Sequence, residues 1–447
     1  MSWDISDAVT QAKSVPAVYY LALNPPRGCR RLGLSPGKSN LRDEYHQRYS
    51  QGVPGDRVDE SGLPAWRVKA LFAYPIKSCA GMELEVADLV STGLAYDRQF
   101  CFAEYVIPAN RNSTNNNNSD SDDPKKKPHW DFRTLRDGRF SRMTLIKPEI
   151  WVPDPAASGY AADLEEVKSR GVMIVRYPRV PPQGIWRMPV QLGIRLGLVA
   201  SEASFRVPLF PLAEDIDRGL YPSLPVRIWK DFPKSFNYIH HIPQSLRDFL
   251  APEASSTAER RTLALFRVNP QHHREIFRCA PSTEEVGFQT VTGFADAYPL
   301  HILSLASVHD VAARCAADIP RLTARRFRAN LIIQGPAAFA EDAWKRIRVG
   351  SQAAGLEIYT VCRTLRCRLP NVDPDTGIRH RSEPDRTMKS YRRIDPGDPT
   401  NACLGMQAVP AVQESTIRVN DAVTVLETGE HYYIKMLAPG ETIPGEH

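Results

Sequence analysis

Trp66-Arg67-Val68-Lys69-Ala70-Leu71-Phe72-Ala73-Tyr74-Pro75-Ile76-Lys77-Ser78-Cys79-Ala80-Gly81 is the stretch on which the fold turns. From Trp66 to Tyr74 it reads as a strand, and Pro75, which has no N–H for a ladder, ends it. A turn at Cys79-Ala80-Gly81 leads into Glu83–Val90, where apolar residues alternate. Gly93 opens another turn before a strand over Asp97–Glu104. Short strands separated by frequent turns predict a barrel or sandwich.

Working outward, further strands are expected at Phe140–Ile146, Val172–Tyr177, Thr262–Val268, Asn330–Gln334, Gly355–Val361 and Thr416–Leu426. Helical spacing marks Pro243–Leu250 and Ser304–Ala316, and Glu341–Trp344 starts a short turn or helix. Residues 155–170 and 178–225 read as turn-rich connections. The expected class is α+β, β-rich. Residues 1–63 form an irregular leader. A first β-barrel-like domain spans 64–250 with an Asn/Ser/Asp-rich insert at 108–128, a β-barrel domain with short helices spans 260–437, and 438–447 is a tail. A linker falls near 250–262. The insert cannot bury a core, so a solvated loop is expected there.

Bulk properties exclude several classes. The chain has 57 Lys+Arg against 51 Asp+Glu, a formal net charge of +6 over 447 residues. That mild excess is no signature of nucleic-acid binding and suits small anions. Its 37 prolines exceed the ordinary share of roughly 5% and argue against a helical bundle. Eight scattered cysteines without a CxxC pair exclude a zinc ribbon, a thioredoxin motif and an iron–sulfur cluster. The protein reads as intracellular and reduced. The most apolar run, Val15–Leu23, is too short to span a membrane. Gly33–Ser39 imitates a phosphate loop but is one residue short and follows no strand.

Four separated segments could carry chemistry. Lys77-Ser78 offers a cation and a hydroxyl on a turn, a pairing that suits phosphate. Arg98, in Tyr96-Asp97-Arg98, could grip an anion in bidentate fashion. Arg325-Arg326-Phe327-Arg328-Ala329-Asn330 places three arginines and an asparagine before a strand. Leu365-Arg366-Cys367-Arg368 sets a cysteine between two cations, ahead of Asp373-Pro374-Asp375-Thr376-Gly377. Neighbouring cations favour a thiolate, which is either a nucleophile or a soft-metal ligand. A small buried hydrophobe is the third reading of Cys367.

Taken in order, these segments resemble the MOSC superfamily of molybdenum-cofactor-binding proteins, and within it the mitochondrial amidoxime-reducing component branch. The matching text also includes Ala340-Glu341-Asp342-Ala343-Trp344 and Lys389-Ser390-Tyr391-Arg392, and covers roughly 66–437. The resemblance implies a MOSC N-terminal β-barrel-like domain followed by a MOSC domain. It implies Cys367 as the molybdenum ligand and catalytic residue. Lys77, Ser78, Arg98, Arg328, Asn330, Leu365 and Arg366 are then cofactor contacts. The implied reaction is reductive oxygen removal from N-hydroxylated small molecules. Electrons would come from an external donor of the cytochrome b5 and b5-reductase type. The implied location is the mitochondrial outer membrane facing the cytosol, with the N-terminal anchor in doubt. Two alternatives remain. One is a sulfur-transfer protein with a persulfide on Cys367, since MOSC domains also occur fused to pyridoxal-phosphate-dependent desulfurases. The other is a non-catalytic cofactor-binding protein.

The sequence departs from the family's pattern at two places. Gly405-Met406-Gln407-Ala408 replaces an aromatic near the end of the site, and Tyr298 enters the segment aligned with a substrate-side loop.

Overall fold

A computed structural model of the chain describes residues 25–108, 127–181, 184–250, 262–351 and 355–435. The leader's first 24 residues, most of the insert and the linker at 251–261 lie outside them. The chain divides into two compact units, one drawn from 1–32, 146–222 and 238–260, the other from 33–145, 223–237 and 261–447. They interleave along the chain, whereas the sequence reading has consecutive stretches, 64–250 and 260–437. The reason is strand pairing: Arg67–Ala73 finds its neighbours in Met82–Leu84 and in the distant Leu331–Gln334.

The larger unit holds the fold expected from the sequence, β-rich and barrel-containing. Five strands close a barrel in the order Ser223–Arg227, Lys234–Asn237, Leu263–Val268, Phe100–Val106, His129–Phe132. Every residue of Leu263–Val268 is buried, as befits a strand covered on both faces. An eight-stranded sheet runs Val423–Thr428, Trp344–Val349, Leu356–Arg366, Ala402–Pro410, Leu300–Ser304, Leu331–Gln334, Arg67–Ala73, Met82–Leu84. One pair in it, Leu300–Ser304 with Leu331–Gln334, is parallel. Parallel neighbours need a crossover, and the helix Leu305–Arg314 supplies it. This helix buries Leu305, Val308 and Val311 at helical spacing against Phe72, Ile332 and Met388. Each such side chain contributes roughly 1.5–3 kcal/mol. Leu41 and Tyr49 of the leader join the same core.

The smaller unit is a four-stranded antiparallel sheet, ordered Cys29–Arg31, Lys147–Pro153, Val172–Pro178, Glu202–Pro208. The helix Gln244–Leu250 packs Phe249 on Tyr177, whose hydroxyl meets Ser245 Oγ at 2.7 Å.

Local chemistry overrode three expectations. Phe140–Ile146 is largely a 3-10 helix, Gly138–Leu145. Asp137 accepts the N–H of Arg139 on its side chain (3.2 Å) and that of Phe140 on its carbonyl (2.9 Å). Such local bonds compete with a ladder. Thr416–Leu426 splits into Ser415–Arg418 and Val423–Thr428. Asn420 takes φ 73°, and Asp421 accepts the Arg418 N–H between them. The connection 178–225 contains the strand Glu202–Pro208 and the helix Arg187–Arg195.

Candidate functional site

Several strands of the larger unit end at one place. Arg67–Ala73 runs into Tyr74-Pro75 and delivers Lys77 and Ser78 on a buried turn. The 3-10 turn Ala324–Phe327 is closed by Arg328 just before Leu331–Gln334. Leu356–Arg366, the longest strand of the sheet, hands over directly to Cys367. These ends open on a cavity of about 610 Å³. Lys77, Ser78, Arg98, Arg328, Asn330, Leu365, Arg366 and Cys367, singled out from sequence, all line it.

The cavity is cationic, and its cations are held. Lys77 is almost fully buried and donates to Phe294 O at 2.9 Å and to Asp296 Oδ1 at 2.5 Å. Burial lowers the Lys77 pKa, opposed by the Asp296 charge. Asp296 is half-exposed at its side chain; burial pushes it up, but Lys77, Arg136 and Arg98 outweigh that and hold it well below the usual carboxylate range. Arg98 donates to Asp97 Oδ2 (2.5 Å), Asn330 Oδ1 (3.2 Å) and the Arg328 carbonyl (3.0 Å). The guanidiniums of Arg98 and Arg328 lie 4.8 and 4.2 Å from the ring of Tyr74. The Arg328 Nη2 is buried with no hydrogen-bond partner. An unpaired buried donor is costly, on the order of 1–3 kcal/mol or more for a charged group.

Arg366 is fixed differently. Its guanidinium donates to Leu404 O at 2.6 and 2.9 Å, to Phe327 O at 3.1 Å, and faces His301 Nε2 at 2.6 Å. Burial lowers its pKa to about 10. Burial, with Arg366 and Arg98 alongside, keeps His301 well below the ordinary imidazole value, so the ring is neutral. Gly405 makes room for this contact: at φ 74°, a Cβ there would lie 2.5 Å from Ile302 O and 2.7 Å from His301 Nε2.

The two other arginines before Phe327 have another task. Arg325 makes a bidentate pair with Asp375 (2.8 and 2.5 Å), and Arg326 reaches Asp373 Oδ2 at 2.7 Å. They clamp the Asp-Pro-Asp turn that follows Cys367. Asp373 Oδ1 also accepts the N–H groups of Asp375 and Thr376, at 2.9 and 3.0 Å. Arg368 points outward toward Asp385, 3.7 Å away. Asn330 is completely buried, and its amide is spent on structure: it donates to Phe72 O (3.0 Å) and accepts from Arg98 and from the His301 N–H (3.1 Å).

Backbone strain collects here. Ser78, Arg98, Trp229 and Arg328, all non-glycine cavity residues, have φ of 69°, 48°, 56° and 55°. Left-handed residues of this kind cost of order 1–3 kcal/mol each and cluster at ligand sites. Sequence reading missed His301, Thr134, Arg136, Trp229 and Arg278, which also line the cavity. His301 left one signal, a lone histidine in the otherwise apolar Leu300–Leu303. The others left none.

Family comparison defines the class. Residues 289–424 match the MOSC domain, and residues 65–106 match the MOSC N-terminal beta barrel domain. Two segments of the chain thus match the two MOSC family models. Among its curated relatives are mitochondrial amidoxime-reducing components. It is 38% identical over 138 residues to mitochondrial amidoxime-reducing component 1 of Mus musculus, which covers 30% of this chain and 38% of that protein. It is 36% identical over 136 residues to the same component of Homo sapiens, with the same coverage. It is 39% identical over 103 residues to mitochondrial amidoxime reducing component 2 of Rattus norvegicus, covering 23% of this chain and 28% of that protein. The matched stretch thus spans well under half of each relative's length.

Proposed function

We propose that this protein binds the molybdenum cofactor in the cavity and reduces N-hydroxylated small molecules, of the amidoxime type, with electrons from an external donor. The observation that carries the reading is the unpaired, buried Arg328 Nη2 among the cations Lys77, Arg98 and Arg366. A buried charged donor with no partner fits an anionic ligand. A pterin phosphate or its polar ring edge would supply the acceptor that Arg328 Nη2 lacks.

The remaining lining agrees. Among the described residues, no three His, Cys, Asp or Glu side chains group into a metal cage. A metal that brings its own sulfur ligands needs only one more soft donor, and Cys367 is a thiol at the cavity wall. When bound, the cofactor supplies a redox-active metal for removing oxygen from nitrogen as water. The protein's own residues bind and position. Lys77, Ser78, Arg98 and Arg328 would hold the anionic end. Arg366, anchored on Leu404 O and Phe327 O, fixes the strand end that carries Cys367. Arg325 and Arg326 fix the turn beyond it. Asn330 holds Arg98 in place, and Asp296 holds Lys77. Neutral His301 takes no charge from the site.

The names of the relatives motivate a mitochondrial location; a small redox protein of the cytochrome b5 type as electron donor follows only from the resemblance of the sequence motifs. Among the described residues no helix is long and apolar enough to cross a membrane.

The test is molybdenum content of the purified full chain, with and without Cys367→Ala, followed by benzamidoxime turnover with a reduced donor. Wild type should carry molybdenum and turn over, and the variant should lose both. Equal retention of metal by both would sink the ligand assignment. Full occupancy without turnover would favour a cofactor carrier. A stable persulfide on Cys367 in metal-free protein would favour sulfur transfer.

A further inference from the structure

Between the antiparallel neighbours Val172–Pro178 and Glu202–Pro208, the smaller unit carries a helical excursion. A 3-10 turn, Gly184–Trp186, leads into the helix Arg187–Arg195. No residue of either is buried. Yet the excursion is a defined structure. Leu198 N–H donates to Gly193 O (2.8 Å) and Leu196 N–H to Leu192 O (2.9 Å), while Gly197 takes φ 72°. This is a glycine-closed helix end.

A nine-residue helix is too short to persist in water on propensity alone; it needs an apolar face buried against something. Here that face is bare. Met188, Leu192 and Leu196, at i, i+4 and i+8, are 75, 57 and 63% exposed. Ile185, Trp186 and Leu198 beside them are 86, 58 and 80% exposed. Scattered exposed apolar residues are ordinary, but a contiguous stripe marks an interaction surface.

Charge identifies the partner. From Val167 to Ser201 there is no Asp or Glu, while Lys168, Arg170, Arg176, Arg179, Arg187 and Arg195 are basic. Arg187 and Arg195, at the two ends of the helix, are exposed, and no ion pair with another described residue involves them. An apolar stripe flanked by unpaired arginines, with a tryptophan at one end, matches an interface between hydrocarbon and anionic headgroups. A second protein surface would have to accept both the stripe and the cations, whereas an anionic bilayer offers both in one plane.

We propose that residues 184–199 form an interfacial membrane anchor that lies on an anionic lipid surface without crossing it. The inference is independent of the cavity and of its cofactor.

The experiment is co-sedimentation of the purified full chain with vesicles of phosphatidylcholine alone and with about 30% phosphatidylserine. Wild type should bind the anionic vesicles, release as salt rises, and show a blue shift of tryptophan emission that Trp186→Phe removes. Met188→Asp/Leu192→Asp should lower the bound fraction at least tenfold. Arg187→Gln/Arg195→Gln should lower it severalfold and weaken the salt dependence. Both variants should keep the wild-type circular dichroism and molybdenum content, since neither pair touches the core or the cavity. Undiminished binding by the double Asp variant would overturn the proposal, as would equal binding to both vesicle types. So would a wild-type dimer that Met188→Asp/Leu192→Asp dissociates, with no vesicle binding, because the stripe would then be covered by a second copy.

Discussion

Glu341 offers a quantitative test of the larger unit's packing. It follows the strand Leu331–Gln334, completely buried, in the 3-10 turn Ala340–Ala343. Its Oε1 accepts from Ser307 Oγ at 2.7 Å and from the Ser304 N–H at 3.3 Å, while Oε2 has no partner. Burial, and then the charge of Asp342, push its carboxyl from 4.5 up to about 7. The folded pKa therefore lies above the unfolded one. The stability that the protonated form contributes is complete below about pH 4.5 and is lost as pH rises through about 7. That interval corresponds to about 3 kcal/mol. Glu341→Gln keeps the acceptor and stays neutral at every pH. Urea unfolding of the full chain, followed by circular dichroism at about pH 5 and about pH 8.5, should show wild type losing up to about 3 kcal/mol more than the variant. Parallel pH profiles for the two proteins would refute the reasoning, because the buried carboxyl would then ionise at no cost.

Other outcomes follow from single contacts. Arg328→Met removes an unpaired buried donor, so stability should hold within about 1 kcal/mol or rise, while molybdenum retention falls at least tenfold; a melting curve with metal analysis separates the two. Gly405→Ala must displace Ile302 O or His301, and with the positive φ should cost about 2–4 kcal/mol, read as a lower midpoint in denaturant. In the smaller unit, His241 Nε2 meets Tyr221 OH at 2.8 Å, and burial, with His240 adding to it, lowers its pKa to about 4. Its folded pKa lies below the unfolded 6.5. Stability should thus be intact above about pH 6.5 and decline as pH falls toward 4, and His241→Gln should flatten that decline in an acid titration.

The resemblance of separated motifs to the MOSC pattern was legible because it rests on short local signals. Strands such as Thr262–Val268 and the helix beginning after Ser304 announce themselves by periodicity and by their breakers, and Cys367 stands between two arginines whatever the fold. Failures of that reading have local causes too. Asp137 captures the N–H groups of Arg139 and Phe140, where a strand over Phe140–Ile146 would begin. Arg187–Arg195 carries Pro189 and Gly193 within its nine residues, breakers that mask its apolar spacing, so it read as connection.

Sequence by itself determined which residue types were available: a thiol, a lysine with a neighbouring serine, and isolated arginines. Tertiary structure decided what each does. Of the arginines 325, 326 and 328, alike in sequence, two grip Asp375 and Asp373, and only Arg328, turned by its left-handed backbone, keeps an unpaired nitrogen at the cavity. Asn330, read as a cofactor contact, lines the cavity while its amide bonds to Arg98, the His301 N–H and the Phe72 carbonyl. Lys77 finds Asp296 more than two hundred residues away. The physical reason is common to all three. A buried polar group must find a partner, and which partner it finds depends on long-range strand pairing that no local pattern encodes.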